Sequence, residues 1–191
     1  MFFRKIEKDF IVIGGGLAGI AAAIAAARKG LSVALLNDRP VLGGNSSSEI
    51  RVWPSGSSGV YPNTYHIYAR ETGIIEEMKL TQRWVNPESN PVLWDMVLLD
   101  LVEQEENIEL FLNTYAYDVQ MDGNKIGQVI ARQPMSDLEL LFSAPIFADC
   151  SGDSTVAVKA GIDFRMGREA KSEFNEEWAQ EQADNFTMGS T

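Results

Sequence analysis

Residues Asp9 to Asp38 constrain the fold of this 191-residue chain more than any other stretch. Asp9-Phe10-Ile11-Val12-Ile13 is an apolar, β-branched run of strand length. Gly14-Gly15-Gly16-Leu17-Ala18-Gly19 follows at once, and Ile20 to Lys29 is a small-residue run of high helix propensity. Gly30 stops that helix, and Ser32-Val33-Ala34-Leu35-Leu36 reads as a second buried strand. A strand–turn–helix–strand unit with glycines at 14, 16 and 19 is the pattern of a dinucleotide site. Gly14 allows the tight turn out of the strand, Gly16 lets a pyrophosphate approach the backbone, and Gly19 lets helix and sheet pack closely. The helix N-terminus then offers unpaired N–H groups and a partial positive charge to the phosphates. The flanking strand and helix separate this unit from an incidental glycine turn. A membrane span is disfavoured, because Phe10 to Ala27 carries its glycines near one end and barely reaches the ~17–25 residues a span needs.

Composition narrows the class. A net charge of −11 with 45% hydrophobic residues suits a globular domain, or part of a larger one, and argues against nucleic acid or an anionic membrane as partner. Cys150 is the single cysteine, which excludes an internal disulfide, a Cys-x-x-Cys redox pair and a thiolate iron–sulfur site built by this segment. No metal site is expected. The N-terminus, Met1-Phe2-Phe3-Arg4-Lys5, lacks the apolar core and cleavage site of a secretory signal, so a cytoplasmic location is expected.

At the end of the second strand, where such folds place an acid to accept ribose hydroxyls, stand Asn37 and Asp38. The usual acidic position falls on Asn37, with Asp38 next to it, so the ribose contact is expected at Asn37 or Asp38. Arg39 has three readings: a reader of a 2′-phosphate, a lateral contact to a pyrophosphate, or a solvated loop residue. Asn45 to Gly56 is polar, with an alternating Glu49/Arg51 pair, and reads either as a substrate-orienting segment or as a serine-rich surface loop with a short edge strand. Asn63 to Lys79 suggests a helix with Ile67, Ile74, Ile75 and Met78 on one face, weakened by Gly73. His66 is the only histidine and would carry any imidazole acid–base role, although a lone histidine is more often structural. Trp53, Trp84 and Trp94 could flank a ring, with core packing as the default.

Pro91 to Glu106 reads as a helix, Ile108 to Leu112 as a third parallel strand. Three further strands follow without a helix between them: Tyr115 to Met121, Lys125 to Arg132 and Leu138 to Ser143, with Asp122-Gly123-Asn124 as a hairpin turn. Ile146-Phe147-Ala148-Asp149-Cys150-Ser151-Gly152-Asp153 returns to the parallel sheet and turns into a helix from Ser154 to Ala160. Asp153 reads either as that helix's cap or as a cofactor contact. Cys150 reads as a small buried residue rather than a nucleophile.

Together, Ile11 to Gly19 and Asp38-Arg39-Pro40-Val41-Leu42-Gly43-Gly44 resemble the glutathione-reductase-type FAD flavoproteins. Within these the chain is most similar to the bacterial FAD-dependent oxidoreductases that include the flavin part of heterodisulfide-reductase-like proteins. The resemblance implies an α/β fold: a Rossmann-like FAD-binding domain with a parallel sheet and an antiparallel three-stranded β-meander crossover. It implies that Gly43 and Gly44 pass the cofactor's phosphates and that the Asn45–Gly56 segment runs towards the flavin ring. It also implies that Ala116 meets adenine through its backbone and that Gly152 and Asp153 lie beside the first glycine turn. FAD is the cofactor so implied, and the partner a small-molecule substrate, with a homo-oligomer open. The alternatives are an NAD(P)-binding reductase using Arg39 and a non-catalytic nucleotide-binding module. Domain bounds are expected at 1–165 for the FAD-binding domain and 166–191 for an acidic helical tail. The resemblance covers only the first part of a full-length member, so the substrate domain and a segment completing the flavin site are expected to be missing, and no catalytic side chain can be assigned.

Overall fold

The computed structural model describes residues 2–55, 70–134, 136 and 138–185. In chain order these form β1 (Phe2–Glu7), β2 (Phe10–Ile13), α1 (Leu17–Ala27), β3 (Val33–Leu36), α2 (Gly73–Val85), α3 (Pro91–Glu103), β4 (Ile108–Phe111), β5 (Tyr115–Asp122), β6 (Lys125–Gln133), β7 (Leu138–Ser143), β8 (Ile146–Asp149), α4 (Thr155–Lys159) and α5 (Lys171–Phe174). The chain divides into two compact units, Met1–Ala160 and Gly161–Thr191.

The larger unit is built around a parallel sheet of order β4-β3-β2-β8. Val12 pairs with Leu35 on one side and Ala148 on the other, so β2 is central and lacks any polar side chain. Alternation along β3 sends Val33 and Leu35 to one face and Ala34 and Leu36 to the other. The first face packs under α1, α2 and α3, with Ile20, Ile24, Met78, Trp94 and Leu98 inaccessible or nearly so. The second face packs against the meander β5-β6-β7 through Ala116, Val129, Ala131, Leu140 and Phe142. Layering apolar faces this way leaves the parallel sheet covered on both sides, as its uninterrupted apolar strands require.

Four details differ from the sequence expectation. β1 joins the meander by pairing in parallel with β7, giving a four-stranded sheet of order β1-β7-β6-β5. Its charged residues mask it in the sequence; Ile6 is buried, while Arg4 lies over the Phe111 ring and pairs with Glu109. α2 begins at Gly73 rather than running through it, because Thr72 and Gly73 both take positive φ, which a helix cannot propagate. It then runs on to Val85, where the Gln82 and Asn86 carboxamides bond each other and the backbone. The upstream part of the expected helix, with His66 and Ile67, lies outside the described residues.

The fourth difference concerns the smaller unit, which is not a continuous acidic helix. Its helix is the single turn Lys171–Phe174, ended by Asn175 in the left-handed region. An antiparallel bridge between Arg168 and Asp184, with an ion pair between the same side chains, folds that segment back instead. Among the described residues, no helix is long and apolar enough to cross a membrane.

Arg28, at the C-terminal end of α1, ties the helical layer together. Its two terminal nitrogens each bond one Glu77 oxygen at 2.7 Å, and its Nε bonds Glu105 at 2.6 Å. The guanidinium beside Glu77 holds that carboxyl below its ordinary value. Both partners are partly exposed, so solvent screens the pair to about 0.2–1 kcal/mol. A depressed carboxylate stabilises above its unfolded pKa and stops doing so as pH falls through the folded one. Glu77→Gln is therefore expected to lower stability by that amount at neutral pH. The gap to wild type should close as the pH falls below about 4.5, the ordinary glutamate value, in urea melts collected across pH.

Candidate functional site

The C-terminal ends of β2, β3 and β8 converge on a cavity of about 580 Å³, within the ~300–1,000 Å³ typical of ligand pockets. Open parallel sheets bind ligands at this end of their strands. The glycine turn after β2 forms the floor. Gly14 takes φ +106°, its N–H donates to Leu36 O at 2.8 Å, and Cys150 N–H donates to Ile13 O at 2.7 Å. Three chain segments therefore meet at one turn. A Cβ on Gly14 would lie 2.2 Å from the Cys150 carbonyl oxygen, and one on Gly19 would lie 1.9 Å from the Gly14 carbonyl oxygen. These glycines exist for contact between backbones.

Gly16 is different. Its backbone is extended (φ −70°, ψ 175°), it lines the cavity, and a Cβ there would meet nothing within 4 Å. It is the N-cap of α1, with no side-chain capping bond and no acid in the first turn. The helix's first N–H groups thus have no partner within the helix, and Leu17 and Ala18 line the same cavity. A bare backbone, open space above it and an uncapped 11-residue helix form a cradle for a diphosphate. The donor set fits the phosphates of a dinucleotide such as FAD. A second glycine pair supports the cradle: Gly43 N–H donates to Gly15 O at 2.8 Å, and a Cβ on Gly44 would lie 3.2 Å from Gly16 Cα.

Asn37 sits at the expected position but is buried and fully engaged. Its Oδ1 accepts from Gly15 N–H at 3.1 Å, and its Nδ2 donates to the Arg39 and Val41 carbonyls at 3.2 and 2.7 Å. The side chain therefore braces the glycine turn, its Nδ2 committed to two carbonyls and its Oδ1 to one N–H, while the residue still lines the cavity. A carboxylate could accept from Gly15 but could not donate to the two carbonyls, which is why an amide suits this position. Asp38, the adjacent residue, is exposed and lines the cavity. The loop carrying it is clamped, since Thr114 N–H donates to Asn37 O and Asn113 N–H to Arg39 O.

Arg39 lines the cavity with its Nε 2.8 Å from Glu49. That carboxylate holds the guanidinium above its ordinary value. Glu49 thus pairs with Arg39 rather than with Arg51, whose Nε bonds Ser48 O. The Asn45–Gly56 stretch forms no edge strand within its described part: residues 44–46 are a single 3-10 turn. One of its serines holds the turn in place. Ser46 is buried, donates to Gly43 O at 2.9 Å and accepts from the Trp94 indole N–H at 3.1 Å.

Ala116, Gly152 and Asp153 all line the cavity. A register shift in β5 just beyond Ala116 bends the strand there. Asp153 does not cap α4. Asp149 accepts from Ala157 N–H and Ser151 Oγ accepts from Thr155 N–H, leaving Asp153 exposed. Burial, and then Asp149, push the Cys150 thiol up, away from thiolate chemistry. Sequence reasoning passed over Gly15, where a Cβ would fall 2.7 Å from Asn37 Cγ, and Thr114, which orders the Asp38 loop. The triple glycine signals the first; nothing local signals the second.

Residues 9–191 match the family described as FAD dependent oxidoreductase. A stretch of 51 residues is 37% identical to a CoB–CoM heterodisulfide reductase iron-sulfur subunit of Methanopyrus kandleri, covering 27% of this chain and 8% of that protein. Among solved structures, the chain is similar to THI4 of Thermovibrio ammonificans, with a TM-score of 0.53 and 20% identity over 93% of this chain and 76% of that one. It is similar to adenylylsulfate reductase of Archaeoglobus fulgidus, with a TM-score of 0.53 and 16% identity over 78% and 31%. The myxobacterial halogenase CndH, described as a variant of FAD-dependent halogenases, gives 0.53 and 20% over 85% and 41%. At these identities the structural likeness is one of fold.

The glycines separate by experiment. Gly14→Ala adds a backbone clash to a left-handed φ and should cost about 2–5 kcal/mol; Gly19→Ala should cost about 1–3 kcal/mol. Gly16→Ala should stay within about 0.5 kcal/mol of wild type in thermal melts, a weaker N-cap offsetting the lost chain entropy of glycine. Asn37→Asp removes the Nδ2 donor from the Val41 carbonyl and one of the two donors from the Arg39 carbonyl, and should lower stability by about 1–3 kcal/mol in the same melts.

Proposed function

The chain belongs to the FAD dependent oxidoreductase family, and we propose that it is the FAD-binding portion of an enzyme that oxidises or reduces a small molecule. The observation that carries this reading is the Gly16 cradle at the uncapped start of α1, inside a domain whose second sheet is a meander. In this reading the backbone N–H groups of Gly16, Leu17 and Ala18 hold the diphosphate. Asp38 accepts from the adenosine ribose, and the Ala116 backbone meets adenine. Gly44 and Gly152 form the walls without side chains to intrude. The chemistry FAD supplies when bound is two-electron redox at its ring system. The protein's share is to bind, orient and shield it.

An NAD(P) site would rest on Arg39, whose Nε is already paired with the Glu49 carboxylate. The net charge of −11 supports a small-molecule partner over nucleic acid. Together with the single cysteine, it supports a cytoplasmic setting.

Acid extraction of the purified protein is expected to release FAD; nicotinamide dinucleotide without flavin would contradict the reading. Asp38→Ala should weaken FAD by about tenfold to a hundredfold, the loss of a charge-assisted hydrogen bond. An unchanged affinity by calorimetric titration would move the ribose elsewhere.

A further inference from the structure

One wall of the cavity belongs to a segment with no part in the reading above: Val52, Trp53 and Pro54. Trp53 stands out among the cavity's lining residues. The residue is 42% exposed, a large apolar side chain at the edge of a ligand-sized space. It also packs against a second indole. The Trp94 ring is fully buried and lies 5.5 Å from the Trp53 ring, centroid to centroid, tilted by 50°. Trp94 is fixed in turn, because its indole N–H donates to Ser46 Oγ at 3.1 Å and Ser46 donates to Gly43 O at 2.9 Å. Val52 N–H donates to Asn45 O at 2.8 Å, tying the segment to the same turn. A relay of packed and hydrogen-bonded groups thus runs from the glycine pair that supports the diphosphate cradle to the face of Trp53.

The geometry points to Trp53 as a stacking platform for a planar heteroaromatic ring of the bound dinucleotide. Three physical reasons favour it. An indole offers a broad, rigid, polarisable face with few torsions to freeze. Its ordering has already been met by Trp94, so little conformational entropy remains to be lost on binding. Half-exposed apolar area at a cavity edge is covered only when a ligand arrives. Within the same unit Trp84 is more exposed still, at 87%, and lines no part of this cavity.

The inference rests on the dinucleotide reading, and the ring it receives is either adenine or the isoalloxazine. Titration of the 191-residue chain and its Trp53→Ala and Trp53→Phe variants with FAD and with ADP separates all of these. Trp53→Ala is expected to weaken FAD about 10- to 100-fold, the usual effect of removing one stacking partner. Trp53→Phe should restore most of that affinity, because a phenyl face still stacks. Unchanged thermal melts would show that the loss is not one of folding. An equal loss for ADP assigns the platform to adenine; a loss confined to FAD assigns it to the isoalloxazine. FAD affinity within about twofold of wild type in Trp53→Ala overturns the inference while leaving the dinucleotide reading in place. Failure of wild type to bind either ligand overturns the reading beneath it.

Discussion

Everything at the ligand end of this protein depends on how closely three backbones approach one another at Gly14. The turn leaving β2, the carbonyl of Cys150 at the end of β8 and the first turn of α1 at Gly19 come within a distance no Cβ would permit. That contact sets the angle at which α1 leaves the sheet, and so where its uncapped N–H groups aim. A helix start aimed over the strand ends is an anion site by its own electrostatics. The sheet's apolar strands and the two cores on its faces are the support this contact needs, since the turn offers no side chains of its own.

Around that contact the structure assigns polar work with little redundancy. The Asn37 carboxamide bonds three backbone groups from two loops, so the glycine turn and the Asp38 loop move together or not at all. Ser46 and Trp94 do the same for the Gly43 turn. Asp149 and Ser151 serve the start of α4. Rigid backbone groups that need no rearrangement on binding cost little entropy when a ligand arrives. The result is a cavity whose floor is backbone and whose braces lie behind it.

Much of this is legible in the sequence for a physical reason: the glycine fingerprint and the buried strands are local patterns with few alternatives. β2, α1, β3 and the meander follow from hydrophobic runs and turn residues. What escapes is set by distant partners. β1 carries Arg4, Lys5 and Glu7, and its strand character comes from β7, at the far end of the meander. Asn37 reads as a substitute for an acid until its donors are seen to serve the Arg39 and Val41 carbonyls. The Glu49/Arg51 alternation suggests a strand, yet Glu49 answers to Arg39 across the loop. The acidic tail has helix-forming residues, but a single cross-bridge at Arg168 and Asp184 outweighs short-range propensity.

The central claim is that bare backbone at the start of α1, rather than any charged side chain, holds the dinucleotide's diphosphate. Amide spectra of the ¹⁵N-labelled chain titrated with FAD test it most directly. The account predicts that the largest shifts fall on the N–H groups of Gly16, Leu17 and Ala18, with ADP reproducing them. Saturable FAD binding that leaves those amides unmoved would contradict it.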